Sequence, residues 1–240
     1  MASYQTDLIK HAMDVDALKF GSFTLKSGRC VQLYLEVALD LNTASSISPY
    51  FFNAGLLCTG PILATLSTAY ATTIAQALSV PTHPLPSFDV LFGPAYKGIP
   101  FASTTALVLY TQYQINVGFA YDRKEAKDHG EGGLMIGAPL QGRRVVILDD
   151  VMTSGKAVRG AIETVKKHGG EVVGVIQALD RQEVGQDGVS STVKEIEGLI
   201  GEGRVLSILK MKDLMQWLEE NDMKEDLRNM HEYRNRYGLK

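Results

Sequence analysis

A chain of 240 residues can bury enough surface to fold without disulfides or structural metals, and its 45% hydrophobic and 21% charged content excludes disordered, collagenous and coiled-coil classes. Twenty-four Lys and Arg against 27 Asp and Glu give a net charge of −3. That argues against a protein that coats nucleic acid or an anionic membrane, while leaving room for a local basic pocket. Two cysteines, Cys30 and Cys58, are too few and wrongly spaced for a disulfide framework or a zinc site. No apolar run approaches the roughly 20 residues that span a bilayer. Asp7 and Lys10 stand where a signal peptide would be apolar, so a cytoplasmic protein is expected.

Apolar positions at Leu8, Ile9, Met13 and Leu18 predict a helix over 4–19. A second helix is expected over 59–78, with Pro61 in its first turn, where the missing N–H is not needed. Short apolar runs then recur at 89–93, 115–121, 145–150, 172–179 and 205–209, separated by helical patterns at 98–112, 155–168 and 192–200. Near-continuous apolar strands alternating with helices predict an α/β fold whose central, mostly parallel sheet is covered on both faces. A polar helical stretch over 212–237 closes the chain. One domain is expected, with a core at about 60–210 and a small N-terminal helical hood at about 1–60 joined by C-terminal elements.

Ligands of such sheets sit beyond the carboxyl ends of the strands, and the unusual residues of this chain cluster there. Val145-Val-Ile-Leu-Asp149-Asp150 runs into Val151-Met152-Thr153-Ser154-Gly155-Lys156-Ala157, a strand, two acids, a small-residue turn and a helix start. Amides from Thr153 to Ala157 at a helix N-terminus form an anion cradle, and Gly155 permits close approach of a phosphate. Two carboxylates beside such a cradle make sense for a ligand that also carries a sugar diol, since a carboxylate accepts two hydroxyl hydrogen bonds. A ribose 5-phosphate fits both halves; a turn in which an aspartate merely caps the helix is the plainer alternative.

Three further strand ends carry ligand-competent residues. In 121–133, Arg123, Lys124, Lys127 and His129 precede a run of glycines, which predicts an exposed, mobile loop able either to reach a pyrophosphate or simply to be solvated. Phe92-Gly-Pro-Ala-Tyr96-Lys97-Gly98 makes a tight turn that aims Lys97 into the crevice. Arg181 follows the run at 172–179 and could grip a planar carboxylate bidentately.

These motifs resemble a known family. The Asp149-Asp-Val-Met-Thr153 strand and loop resembles the signature of the type I phosphoribosyltransferases. Together with Phe23-Thr-Leu-Lys-Ser-Gly-Arg29, Pro49-Tyr-Phe-Phe-Asn53, Phe92-Gly-Pro-Ala-Tyr-Lys-Gly98 and Arg123-Lys-Glu-Ala-Lys-Asp-His-Gly130, it resembles orotate phosphoribosyltransferase. The resemblance covers about residues 16–220 and implies the type I phosphoribosyltransferase fold. It also implies transfer of phosphoribosyl from phosphoribosyl pyrophosphate to N1 of orotate, in pyrimidine synthesis.

By position, the resemblance assigns Lys26, Tyr96, Lys97, Arg123, Lys124, Lys127, His129 and the whole stretch Asp149, Asp150, Val151, Met152, Thr153, Ser154, Gly155, Lys156 and Ala157 to the phosphoribosyl donor. It assigns Lys26, Phe51, Phe52, Thr153 and Arg181 to orotate, and catalytic roles to Lys127, Asp149 and Asp150. It implies Mg²⁺ held mainly through the donor and water, and a homodimer whose mobile loop reaches the partner's site. Neither nucleic acid nor membrane is an expected partner. A phosphoribosyltransferase for another base is the nearest alternative, and a sensor that kept the fold without the chemistry is a more distant one. Arg181 and the Tyr50-Phe51-Phe52 segment favour an acidic pyrimidine.

One stretch departs from the family pattern. Residues 30–47 stand between Arg29 and Ser48, where the family joins its two motifs within a residue or so. Their apolar residues fall at every odd position from Val31 to Leu41, the period of a half-buried strand. The segment is either an added strand beside the site or foreign to the enzyme, such as an intron of in-frame length.

Overall fold

The computed structural model describes residues 1–24, 47–127, 133–185 and 188–239. Its centre is a six-stranded sheet: β3 (Val90–Gly93), β4 (Gly118–Lys127), β5 (Gly133–Gly137), β6 (Arg144–Val151), β7 (Glu171–Asp180) and β8 (Val205–Lys210), in the order β5-β4-β3-β6-β7-β8. Every neighbouring pair is parallel except β4 with β5. The five apolar runs of the sequence fall on β3, β4, β6, β7 and β8, whereas β5 is not expected from them; α2 (Gly60–Ser79) precedes the sheet, and α3 (Gly98–Tyr113), α4 (Lys156–Lys167) and α5 (Thr192–Ile200) lie between its strands.

The continuous apolar character of β6 has a direct cause. Val145 and Ile147 pack on one face, with Val158, Ile162 and Val165 of α4 and Ile196 of α5. Val146 and Leu148 pack on the other, with Leu66, Tyr70 and Ile74 of α2 and Phe101 and Leu109 of α3. Successive side chains point to opposite faces, so a strand covered on both sides must be apolar throughout.

The hood differs from the expected helical one. Its helix α1 (Ser3–Asp14) stops earlier than the sequence spacing predicts, and Leu18, read as helical, opens β1 (Leu18–Thr24). Asp16 takes a left-handed φ of 61° at the junction. Strand β1 pairs antiparallel with β2 (Ile47–Phe52), from Leu18 opposite Phe52 to Thr24 opposite Ile47. Except for Ile47, residues 30–47 lie outside the described residues.

The C-terminal stretch forms two helices, α6 (Met211–Glu220) and α7 (Lys224–Tyr237), broken where Asp222 turns left-handed. Both belong to the core that buries the hood. Trp217 of α6 stacks on Phe20 of β1 at 6.3 Å, and Met230 of α7 is fully buried in the same cluster. Gln5 of α1 donates from Nε2 to the carbonyl of Ile208 in β8 at 2.7 Å.

Candidate functional site

From β3 the chain moves outward to β4, then returns across β3 to β6 and continues outward the other way. The reversal opens a crevice at the carboxyl ends of β3 and β6, the place where open α/β sheets bind ligands. Lys97 follows β3 and Asp150 ends β6. They meet there, with Lys97 Nζ 2.5 Å from Asp150 Oδ2.

The β6 end is held from both faces of the sheet. Tyr70 of α2, fully buried, donates its hydroxyl to the Asp149 carbonyl at 2.7 Å. Gln177 of β7, also fully buried, accepts from the Met152 amide at 3.1 Å and donates to Ser207 Oγ of β8 at 3.1 Å. Apolar periodicity does not single Gln177 out as a support for this loop; the signal that could have found it is a lone glutamine inside an otherwise apolar strand. Thr192 donates its hydroxyl to the Thr153 carbonyl at 2.8 Å.

Gly155 precedes α4 with φ of 71°, and a Cβ there would stand 2.9 Å from Thr192 Cγ2. Both the conformation and the space therefore require glycine. The turn 151–157 thus delivers the first amides of α4 to the crevice beside the two aspartates.

The aspartates are electrostatically frustrated. Burial and the neighbouring Asp150 charge push the Asp149 carboxyl up to about 7, against the lowering effects of the Asp150 amide and of Lys97. The Asp150 amide donates to Asp149 Oδ1 at 2.9 Å. A strand end that keeps two carboxylates together with one cation stores an appetite for further donors or positive charge.

The 94–97 turn is anchored from β4: Asp122 Oδ1 accepts from the Ala95 amide at 2.7 Å. Gly93 lies so close to the start of α3 that a Cβ on it would stand 2.1 Å from the Gly98 carbonyl oxygen. Tyr96 is 65% exposed, and Lys124 Nζ lies 4.9 Å from its ring centroid. Tyr96, Lys97 and Lys124 are therefore neighbours.

The expected loop at 121–133 is in part a strand. β4 runs to Lys127, which pairs with Gly133 of β5, although the register shifts between Asp122 and Lys127. The sequence rule missed this because the charged end of β4, which there pairs only with the edge strand β5, has no apolar stripe to reveal it. Arg123 belongs to this strand, and its Nη1 is buried with no hydrogen-bond partner among the described residues. His129 and Lys26 lie outside the described residues, and nothing is described of the Lys127 side chain.

At the end of β7, Arg181 is 6% exposed, yet it lines a small cleft with Met152, Thr153 and Thr192. Two of the five residues read as pyrimidine-binding, Thr153 and Arg181, are thereby brought to one cleft. Arg181 is already engaged: Nε donates to Glu183 Oε1 at 2.7 Å, and Nη2 donates to Ser48 Oγ at 3.0 Å and to the Tyr233 hydroxyl at 3.1 Å. Its guanidinium lies 4.6 Å from the Tyr50 ring centroid. A two-pronged grip on a carboxylate would have to displace one of these partners. Phe51 and Phe52 follow Tyr50 on β2, and Phe51, 38% exposed, packs against Phe23 at 5.7 Å.

Comparison with known proteins agrees with this geometry. The phosphoribosyl transferase domain family matches residues 85–197, from just before β3 into α5. An orotate phosphoribosyltransferase of Acinetobacter baumannii is 44% identical over 231 residues, covering 96% of this chain and 94% of that one. One from Salmonella agona is 44% identical over the full length of both. The crystal structure of the Francisella tularensis orotate phosphoribosyltransferase superposes with a TM-score of 0.77 at 34% identity, covering 97% of this chain and 99% of that one. The central sheet, the two-aspartate strand end and these full-length relatives place the chain in the orotate phosphoribosyltransferase family, with the type I phosphoribosyltransferase fold.

Proposed function

We propose a division of roles at this site for the family's reaction, in which the ribose 5-phosphate of phosphoribosyl pyrophosphate is joined to N1 of orotate with release of pyrophosphate. The observation that carries it is the meeting of Asp149, Asp150 and Lys97 at the topological switch point, beside the amides of 151–157. The 5′-phosphate takes the amide cradle, where Lys156 adds a cation. The ribose diol takes Asp149 and Asp150, and its hydroxyl hydrogens supply the donors that the paired carboxylates lack. Lys97, with a side chain 60% exposed, is free to turn from Asp150 to the pyrophosphate.

As pyrophosphate departs, positive charge develops on the ribose ring, and the nearby carboxylates stabilise it. Lys127, with Arg123, Lys124 and His129, meets the negative charge that grows on the leaving group. No side-chain nucleophile is required, because orotate supplies its own nitrogen.

Asp149 and Asp150 offer adjacent hard oxygen donors, the ligand type that Mg²⁺ prefers, so these residues fit a cation that draws its remaining ligands from water and the donor. When bound, that cation offsets charge on the pyrophosphate. We further infer a homodimer in which the 123–130 segment serves the neighbouring site. Its charged, phosphorylated reactants suit the cytoplasm.

Loss of orotate absorbance on mixing enzyme, phosphoribosyl pyrophosphate and Mg²⁺ tests the activity directly. Consumption of orotate with stoichiometric pyrophosphate is expected; absence of both overturns the reading. For the shared site, exchanging Lys127→Ala subunits with Asp149→Ala/Asp150→Ala subunits should restore activity towards one quarter of wild type. Exchanged heterodimers that remain inactive would overturn it.

A further inference from the structure

Arg181 joins three parts of the molecule that are far apart in sequence. It ends β7, its Nη2 reaches Ser48 on β2, and it meets the Tyr233 hydroxyl on α7. That hydroxyl in turn donates to Glu183 Oε1 at 2.7 Å, the same oxygen that accepts Arg181 Nε. Arg181, Glu183 and Tyr233 are each 7% exposed or less. Burial, with the Glu183 charge next, pushes the Tyr233 phenol up to about 12, so it remains a protonated donor at neutral pH.

Counting donors shows what this leaves. A guanidinium has five N–H bonds. The Nε–H goes to Glu183, and the two on Nη2 go to Ser48 and Tyr233. Nη1 has no hydrogen-bond partner among the described residues. The Tyr50 ring covers one face of the group. Three fixed bonds and a stacked ring leave the guanidinium little freedom to rotate, with one unspent edge in a residue that lines the cleft shared with Thr153.

We propose that Tyr233 and Glu183 are positioning residues that lock Arg181 so that its Nη1 edge alone reads the carboxylate of the pyrimidine substrate. The proposal rests on the reading of Arg181 as the carboxylate-binding residue. It assigns the C-terminal helix α7 a part in base selection, although α7 supplies no group that touches the substrate. Locking matters because an arginine already committed elsewhere loses less rotamer freedom on binding. Ser48 and Tyr50 lie beside Phe51 and Phe52 on β2, so the same lock ties the aromatic segment to the carboxylate reader.

The test is Tyr233→Phe, which keeps the ring packed on Tyr237 at 4.8 Å and removes only the hydroxyl. Orotate KM should rise about tenfold, the size expected for weakening a hydrogen bond to a charged group. KM for phosphoribosyl pyrophosphate and kcat should each stay within about twofold. Preference for orotate over uracil, which lacks the carboxylate, should fall by the same factor as orotate kcat/KM; a merely structural loss would weaken both bases alike.

Arg181→Lys separates the role of Arg181 from that of its lock. It keeps a cation beside Glu183 but cannot reproduce the fork. If its orotate KM is unchanged, Arg181 does not read the carboxylate and the underlying assignment fails. If its orotate KM rises while Tyr233→Phe behaves as wild type, the positioning proposal alone is overturned. Should Arg181→Lys fail to fold, wild-type discrimination between orotate and uracil takes its place, and absence of discrimination overturns the assignment.

Discussion

Two neighbouring strand ends solve the same electrostatic problem in opposite ways. At β6, two adjacent carboxylates share one exposed lysine, and burial with mutual repulsion raises the Asp149 carboxyl to about 7. At the end of β7, the Glu183 carboxylate faces the Arg181 guanidinium, both almost fully buried, with the Ser48 hydroxyl accepting from Arg181 and the Tyr233 hydroxyl donating to Glu183. The first end is incomplete until something else binds. The second is complete, save one guanidinium edge. On the roles proposed above, the difference separates two tasks: a site whose ligand brings hydroxyls and charge gains by being left short of partners, whereas a site that must discriminate a single carboxylate gains by being rigid.

The comparison breaks most sharply at Arg181. Arg181→Ala removes the cation that faces the buried Glu183 carboxylate, and removing one member of a buried pair costs about 3–5 kcal/mol. A fall of that size in urea-unfolding free energy is expected, together with a raised orotate KM in whatever fraction remains folded. A loss below about 1 kcal/mol would place the β7 end in the same class as an exposed ion pair.

Catalytic turnover gives the next contrast. Lys127→Ala should lower kcat by about a hundredfold, the scale of removing one donor aimed at charge that exists only in the transition state. Orotate KM should change far less. An unchanged kcat with a raised KM for the phosphoribosyl donor would assign Lys127 to ground-state binding instead.

At β6 the sign reverses, and substitution should stabilise. Asp149 titrates at about 7 in the folded state against an ordinary value of 3.8, so between those values the folded state holds more protons than the unfolded one. Stability is therefore lost as pH rises from about 4 to about 7 and levels off above that, so the penalty is full at pH 8 and absent near pH 4. Each tenfold change in proton affinity between the two states is worth about 1.4 kcal/mol, which bounds the effect at about 4 kcal/mol; Asp149→Asn, which leaves the Asp150 charge in place, should be more stable than wild type at pH 8 by about 1–3 kcal/mol. The advantage should shrink on acidification and vanish near pH 4. Thermal unfolding at pH 8, 6 and 4 measures it, and a gain independent of pH would trace the stabilisation to something other than the paired charges. The same variant should lose activity, since it trades an acceptor for a donor at the proposed diol site.

Legibility in the sequence follows the same divide. The β6 end was legible because its residues are contiguous: an apolar strand, two acids and a glycine turn stand in one short run, and local spacing carries the meaning. The Arg181 residue was legible, but its lock was not. Ser48, Glu183 and Tyr233 are brought together only by tertiary packing, and Tyr233 sits on a helix whose outer face is charged. The sheet was readable where strands are covered on both faces, as at 145–150, and unreadable at its edge. There β5 (Gly133–Gly137) and the charged half of β4 carry no apolar period. Strand β1 was hidden because Leu18 continues the helical spacing of α1, and the chain leaves the helix at Asp16 by a backbone turn rather than by a proline or glycine.

The smallest expected effect concerns residues 30–47, which interrupt the hood near the strand that supplies Ser48 to the Arg181 lock. The hairpin itself fixes where a shorter chain would close. Phe23 pairs with Ser48 and Thr24 with Ile47 across β1 and β2, so the ends of the connection are already in register. Deleting 30–47 joins Arg29 to Ser48, keeps Phe23 opposite Ser48 and leaves residues 24–29 as the turn, with Lys26 and Gly28 retained. It removes Ile47, which is 60% exposed, and spares Tyr50, which is fully buried. Shortening the connection from residues 24–47 to residues 24–29 is two halvings of length, worth about 1 kcal/mol of loop-closure entropy in favour of the deletion. An alternating apolar segment also promotes association between chains wherever it is exposed as an edge. The deletion protein should therefore be soluble, as stable as the full chain or slightly more so, and at least as active. Urea unfolding and orotate kinetics on the two proteins check this together. Loss of orotate binding in a folded deletion protein would make 30–47 part of the native site, and failure to fold would make it part of the hood.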